Sequence, residues 1–141
     1  MKTQADIQAT RPAIQIEIKG ASISSIAGFY REINRVFMAG EDWVLGDSLD
    51  ALSDMLYGGY GVAAGGGAVV ILWSDMAQSR AALGVEATRG WLLAKLNTPG
   101  KFDRVAIQAQ LDVLERGDGP SYFAIIESIF AEHPRFQIVQ A

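Results

Sequence analysis

Ile14, Ile16 and Ile18 alternate with Gln15, Glu17 and Lys19. That is the period of a strand with one buried and one exposed face, so the chain is expected to open its fold with a strand. Ser24 and Ser25 then precede Ile26, Phe29, Ile33 and Phe37, a helical stripe with serine at its N-cap. A loop from Ala39 to Gly46 leads into Asp47–Tyr57, reading DSLDALSDMLY. At 100° per residue this segment puts Leu49, Leu52, Met55 and Leu56 on one flank, and Asp47, Asp50, Asp54 and Tyr57 on the other. The first flank suits a core and the second a recognition surface, with Asp47 as the expected N-cap. Gly58, Gly59 and Gly61 end this helix, and the glycine-rich stretch to Gly67 reads as a mobile loop.

Ala68–Trp73, AVVILW, is the longest uninterrupted apolar run. It reads as a strand covered on both faces, the one expected at the centre of the sheet. Ser74 and Asp75 can cap a short helix through about Leu83, and a second helix with Trp91, Leu92 and Leu96 inward ends at Asn97, Thr98, Pro99 and Gly100. Phe102–Arg116 reads as a further helix on Ile107, Leu111 and Leu114, and Pro120 suits the first turn of the next, whose stripe is Tyr122, Ile126, Ile129 and Phe130. Phe136 and Ile138 mark a last short strand. Strands joined through helices pair in parallel. The fold class expected is therefore α/β: a small three-stranded parallel sheet with the second strand central, packed with helices, and extra helices between strands 2 and 3. Residues 1–12, MKTQADIQATRP, read as a polar N-terminal tail and 13–141 as one domain.

Charge changes the picture of the second helix. No Lys or Arg occurs between Arg35 and Arg80, while that interval holds Glu41, Asp42, Asp47, Asp50, Asp54 and Asp75, and the whole chain carries a net charge of −4. The acidity is concentrated there. A pI near 4.9 argues against nucleic acid as the direct ligand, and for a basic partner surface or for nothing more than solubility. The chain has no cysteine, which excludes disulfides and thiolate chemistry. The N-terminal segment lacks the apolar run of a signal peptide, and no apolar run is long enough to span a bilayer, so a cytoplasmic protein without membrane contact is expected.

The segment Gly46-Asp47-Ser48-Leu49-Asp50-Ala51-Leu52-Ser53-Asp54 resembles the signature of the barstar family, intracellular inhibitors of the bacterial ribonuclease barnase. In that signature a glycine and a short polar pair precede Leu-Asp-Ala-Leu, one residue and a second Asp. The opening strand–helix unit, FYREINRVF, the apolar strand ending at Trp73 and the terminal strand support the likeness, which runs over about Ile14 to Leu83. The resemblance implies a barstar-like fold. It also implies that Asp54 is the principal inhibitory carboxylate, placed where a substrate phosphate would sit, and that Asp50 is a supporting one a turn earlier. Ser53 stands where the family inhibitor has a Trp, Val44 where it has a contact Tyr, and Tyr57 replaces a small hydroxyl residue. Trp43 is the aromatic neighbour available to take over a contact, although the ordinary reading of such a residue is a partly buried staple.

Ordinary readings stand beside these. Acidic residues near a helix start favour its dipole and keep an exposed face soluble. Asp42, Asp47, Asp50, Asp54 and Asp75 could gather round Mg²⁺ or Ca²⁺, but their spacing fits no EF-hand loop. Gly65, Gly66 and Gly67 precede a strand rather than follow one, which is the wrong order for a phosphate loop. Tyr57 and Tyr60 read equally as rim contacts or loop anchors. His133, the single histidine, reads as a surface or helix-capping residue with no nucleophile motif to serve. The sequence thus leads to a non-enzymatic barstar-like inhibitor, without metal or cofactor. It would bind a basic ribonuclease or ribonuclease-like toxin through Asp47, Asp50, Ser53, Asp54, Tyr57, Trp43 and Val44. The alternative is a non-inhibitory barstar-fold interaction domain with an unrelated partner.

Overall fold

The alternating isoleucines form the first strand, β1 (Ile14–Lys19), in a computed structural model that describes residues 13–141; the tail expected at 1–12 lies outside the described residues. A single 3-10 turn (Gly20–Ser22) leads to α1 (Ile26–Phe37), where the Ser25 hydroxyl accepts the Gly28 amide at 2.9 Å. Then follow α2 (Leu49–Tyr57), a 3-10 turn (Gly61–Gly65), β2 (Val69–Ser74), α3 (Met76–Ala82), α4 (Val85–Leu96), α5 (Arg104–Glu115), α6 (Tyr122–Ala131) and β3 (Phe136–Gln140). The strands make one parallel sheet in the order β1-β2-β3, with Ile16, Ile71 and Ile138 in one row. The apolar run is the central strand.

One sheet face carries the main core. Ile18, Val69, Ile71, Trp73 and Phe136 meet Phe29, Ile33 and Phe37 of α1, Leu52, Met55 and Leu56 of α2, and Phe123, Ile126 and Phe130 of α6. Trp73 is its centre, stacked on Phe29 at 6.3 Å and met edge-on by Phe123 at 5.5 Å. The indole N–H donates to Ser79 Oγ at 3.0 Å, whose hydroxyl donates to the Gly20 carbonyl at 3.1 Å. Gly20 permits this approach: a Cβ there would lie 2.1 Å from the Ser74 carbonyl oxygen. A second cluster, Leu92 and Leu96 with Ile107, Leu111 and Leu114, closes the α4–α5 hairpin. Trp91 joins the two by meeting Tyr122 edge-on at 4.9 Å.

Several expectations are corrected by packing. β2 is covered on one face, not two: Val70 and Leu72 are half-buried on the other, flanked by exposed Gln15, Glu17, Gln137 and Val139. Neighbouring strands shield a central strand from both sides, so an apolar run survives there without a second helical layer. Ile14, at the mouth of β1, is exposed. Asp75 holds the N-cap position of α3 with φ 48° and no side-chain bond, while the Ser74 hydroxyl donates to the Ile18 carbonyl at 3.3 Å. The Asp103 carboxylate caps α5 by accepting the Val105 and Ala106 amides, so that helix begins at Arg104 and leaves Phe102 outside. Ser121 caps α6, putting Pro120 before the helix. The glycine-rich stretch is no free loop. The Glu41 carboxylate accepts the Gly61 amide at 2.8 Å, and the Arg135 guanidinium donates to the carbonyls of Ala63 and Gly67.

Candidate functional site

The α2 helix starts at Leu49 because Ser48, not Asp47, is its cap: the Ser48 hydroxyl accepts the Ala51 amide at 3.0 Å. Gly58, at φ 109°, ends it while its amide returns to the Met55 carbonyl. Leu52, Met55 and Leu56 are buried, and Leu49 is only partly so because it lies in the first turn at the edge of the core. The helix is thus clamped along one side and capped at both ends. Asp50 and Asp54 project from the other side and are exposed, as is Asp47 just before the cap. Ser53 is half-buried, and Tyr57 is 75% exposed.

The approach loop is positioned by a residue that periodicity does not flag. Asn34 of α1 accepts the Leu45 amide on Oδ1 at 2.6 Å and donates through Nδ2 to the Leu45 carbonyl at 3.2 Å and the Tyr30 carbonyl at 2.9 Å. Leu45 is buried under this clamp, so Trp43 and Val44 beside it stand at the surface. Trp43 leans on the half-buried Tyr60, ring centroids 4.9 Å apart, which makes Tyr60 an anchor and leaves Trp43 44% exposed. Asp47, Asp50, Asp54, Trp43, Val44 and Tyr57 therefore share the exterior of one loop–helix unit, with Ser53 recessed among them.

Electrostatics gives this surface its sign. Among the described residues, none of Asp42, Asp47, Asp50 and Asp54 forms an ion pair with another described residue. Their fields reach neighbours. Burial raises the Tyr60 hydroxyl above the ordinary tyrosine range and the charge of Asp54 adds to it. Burial lowers the Lys95 amine, which lies 4.0 Å over the Trp91 ring, while the charge of Asp50 acts in the opposite direction. Among the described residues no three acidic or histidine side chains come together in a way that could hold a metal. Asp75 lies at the start of α3 and is not part of the α2 surface.

His133 departs most from its expected place. It is 7% exposed, its ring edge-on to Tyr57 at 4.6 Å, rather than a surface or capping histidine. Glu41, for its part, is engaged with the Gly61 amide and serves the loop that follows α2.

An α/β protein with a parallel three-stranded sheet, carrying a capped helix whose exposed side is acidic, is the class that fold and surface define. The chain belongs to the barstar family: the family model described as "Barstar (barnase inhibitor)" matches residues 13–98, more than half of it. That span runs from β1 through α4, and α5, α6 and β3 lie beyond it. No curated protein matches the chain. No helix among the described residues is long and apolar enough to cross a membrane.

Proposed function

We propose that this chain is a cytoplasmic inhibitor that binds a basic ribonuclease or ribonuclease-like toxin through the outer side of α2 and performs no chemistry itself. The observation that carries the reading is the pair Asp50 and Asp54, one helical turn apart, both exposed and without an ion-pair partner among the described residues. A ribonuclease active site is cationic because it must hold phosphates. Two carboxylates on a rigid helix offer charge-assisted hydrogen bonds where the substrate would sit, and RNA is excluded by occupancy. The Ser48 cap and the buried leucines hold the backbone in place before binding, so little beyond side-chain rotamers has to be ordered. The surrounding negative field steers the encounter. Trp43 and Tyr57 supply exposed aromatic area at the rim of the carboxylates.

Ser53 and Val44, in place of aromatic contacts, favour a second reading in which the same surface meets an unrelated basic protein. Calorimetry and RNA-cleavage assays against a panel of basic bacterial ribonucleases separate the two. Inhibition is expected for at least one member, and Asp54→Ala should weaken that complex by at least ~2 kcal/mol, because truncation strands a desolvated cation on the partner. Asp54 is exposed, so the variant should keep the parent's circular dichroism. Equal binding by Asp54→Ala would remove α2 from the interface, and a panel without inhibition would leave the second reading.

A further inference from the structure

Among the described residues one buried side-chain nitrogen or oxygen has no hydrogen-bond partner, and it is Nε2 of His133. The backbone around it is fully used: the His133 amide donates to the Phe130 carbonyl at 3.0 Å and its carbonyl accepts the Phe136 amide at 3.0 Å. The side chain sits between the end of α6 and the start of β3, against the end of α2. With Leu56, Tyr57, Glu132, Pro134 and Arg135 it lines a recess of about 210 Å³, room for one side chain. Tyr57 forms one wall and is otherwise largely in solvent, so its ring can swing aside without loss of core packing.

A ring nitrogen kept from water and left without a partner is a standing cost to the free protein. A ligand that meets it recovers that cost. The charges around the recess select the ligand. The Arg135 guanidinium lies over the Phe136 ring at 4.6 Å and is held by the loop carbonyls, so a second cation would be repelled. Glu132 on the recess wall disfavours a carboxylate. A neutral hydroxyl fits, because it can donate or accept and therefore satisfies Nε2 in either tautomer.

We infer that this recess receives a hydroxyl-bearing side chain of the protein partner, with Nε2 of His133 as its hydrogen-bond partner and the Tyr57 ring as the wall that moves to admit it. The inference rests on α2 being the partner-binding helix, and extends that surface past its C-terminal end.

His133 is the single histidine of the chain, so its imidazole signals are unambiguous in a nuclear magnetic resonance titration. Phenol is the probe and benzene the control. Phenol should shift the imidazole nitrogen resonances saturably, and benzene should bind about fivefold to tenfold more weakly for want of the one hydrogen bond. Resonances unmoved by phenol, or equal binding of the two, would overturn the inference. His133→Phe keeps a flat ring and removes the nitrogen. It should erase the preference for phenol and weaken a ribonuclease complex by roughly fivefold to tenfold, without lowering the thermal midpoint of the free protein. A merely structural histidine would lower that midpoint and leave the affinity alone, which also overturns it. The two readings fail separately. A silent phenol titration beside an Asp54→Ala variant that no longer binds ribonuclease removes the recess and keeps the acidic helix. A positive titration in a chain that binds no ribonuclease keeps the recess and removes the ribonuclease.

Discussion

Tyr30 of α1 and Tyr122 at the start of α6 are 92 residues apart in sequence, and their buried hydroxyls meet at 2.5 Å. Removing one hydroxyl deletes a single buried hydrogen bond and strands the other oxygen in the core, which costs about 1–3 kcal/mol. The rings stay packed in either variant, since Tyr30 rests edge-on against Phe29 at 5.0 Å and Tyr122 against Trp91 at 4.9 Å. Tyr30→Phe and Tyr122→Phe should therefore each lower stability by about 1–3 kcal/mol, whereas the double variant, with no polar atom left behind, should lie within about 1 kcal/mol of the parent. Guanidinium unfolding followed by tryptophan fluorescence measures this, the midpoint moving at constant slope. The pair also sets an alkaline limit. Burial raises the Tyr30 hydroxyl far above its ordinary value, with the bond to Tyr122 and the charges of Tyr122 and Asp47 adding to it. Burial likewise raises Tyr122, with Asp47 adding and the Tyr30 bond opposing. Folded values above unfolded ones mean that this stability is complete below about pH 10 and is lost as the pH rises beyond it. The double variant should lose less on that limb. A double variant as unstable as the sum of the singles would refute the reasoning, because the hydroxyls would then act independently.

Glu32, 5% exposed, accepts the Lys19 amide at 2.6 Å and two guanidinium bonds from Arg35, so Glu32→Ala should cost about 2–3 kcal/mol in chemical denaturation, chiefly through the stranded amide, since half-exposed Arg35 rehydrates. Burial raises the Glu32 carboxyl, but the Arg35 and Lys19 hydrogen bonds and charges outweigh it and the net direction is down. The stability it contributes is therefore present above the unfolded value, about 4.3, and lost as the pH falls through the lower folded one; Glu32→Gln should flatten this acid limb, and an unchanged limb would count against it. Gly61 has φ +64° and a Cβ there would lie 2.5 Å from the Phe37 carbonyl oxygen, so Gly61→Ala should cost at least ~2 kcal/mol. Gly40→Ala, with open space and no such φ, should stay within about 0.5 kcal/mol of the parent, and equal costs at the two sites would show that the turn after α2 yields.

Local pattern carried most of the fold and the sign of its surface. Isoleucines at every second position, apolar residues at three- and four-residue spacing, and a continuous aliphatic run are read by the backbone one element at a time, so β1, α1, α2 and β2 are legible before any of them pack. The separation of Asp50 and Asp54 from Leu52, Met55 and Leu56 follows from the same geometry, and so does their exposure once the leucines turn inward. What lies between elements obeyed another rule. Ser48 rather than Asp47 caps α2 because the cap is decided by where the chain turns, and both residue types suit it. The glycine stretch is held by Glu41 and Arg135, which are 20 and 72 residues from the groups they bind. Composition near the glycines contains neither. Asn34 beneath Leu45, Tyr30 against Tyr122 and the open second face of β2 are likewise contacts between distant segments or their lack, without periodicity to announce them. His133 shows the division most plainly. Its neighbours in sequence, a glutamate and a proline at a helix end, are those of a surface residue, and yet it is buried, edge-on to Tyr57 from the end of α2, nearly eighty positions earlier. Sequence alone determined the elements and the acidic face, since both depend on spacing along one chain segment, while burial of single polar side chains was decided by tertiary structure, since it depends on which remote segment closes the last open side.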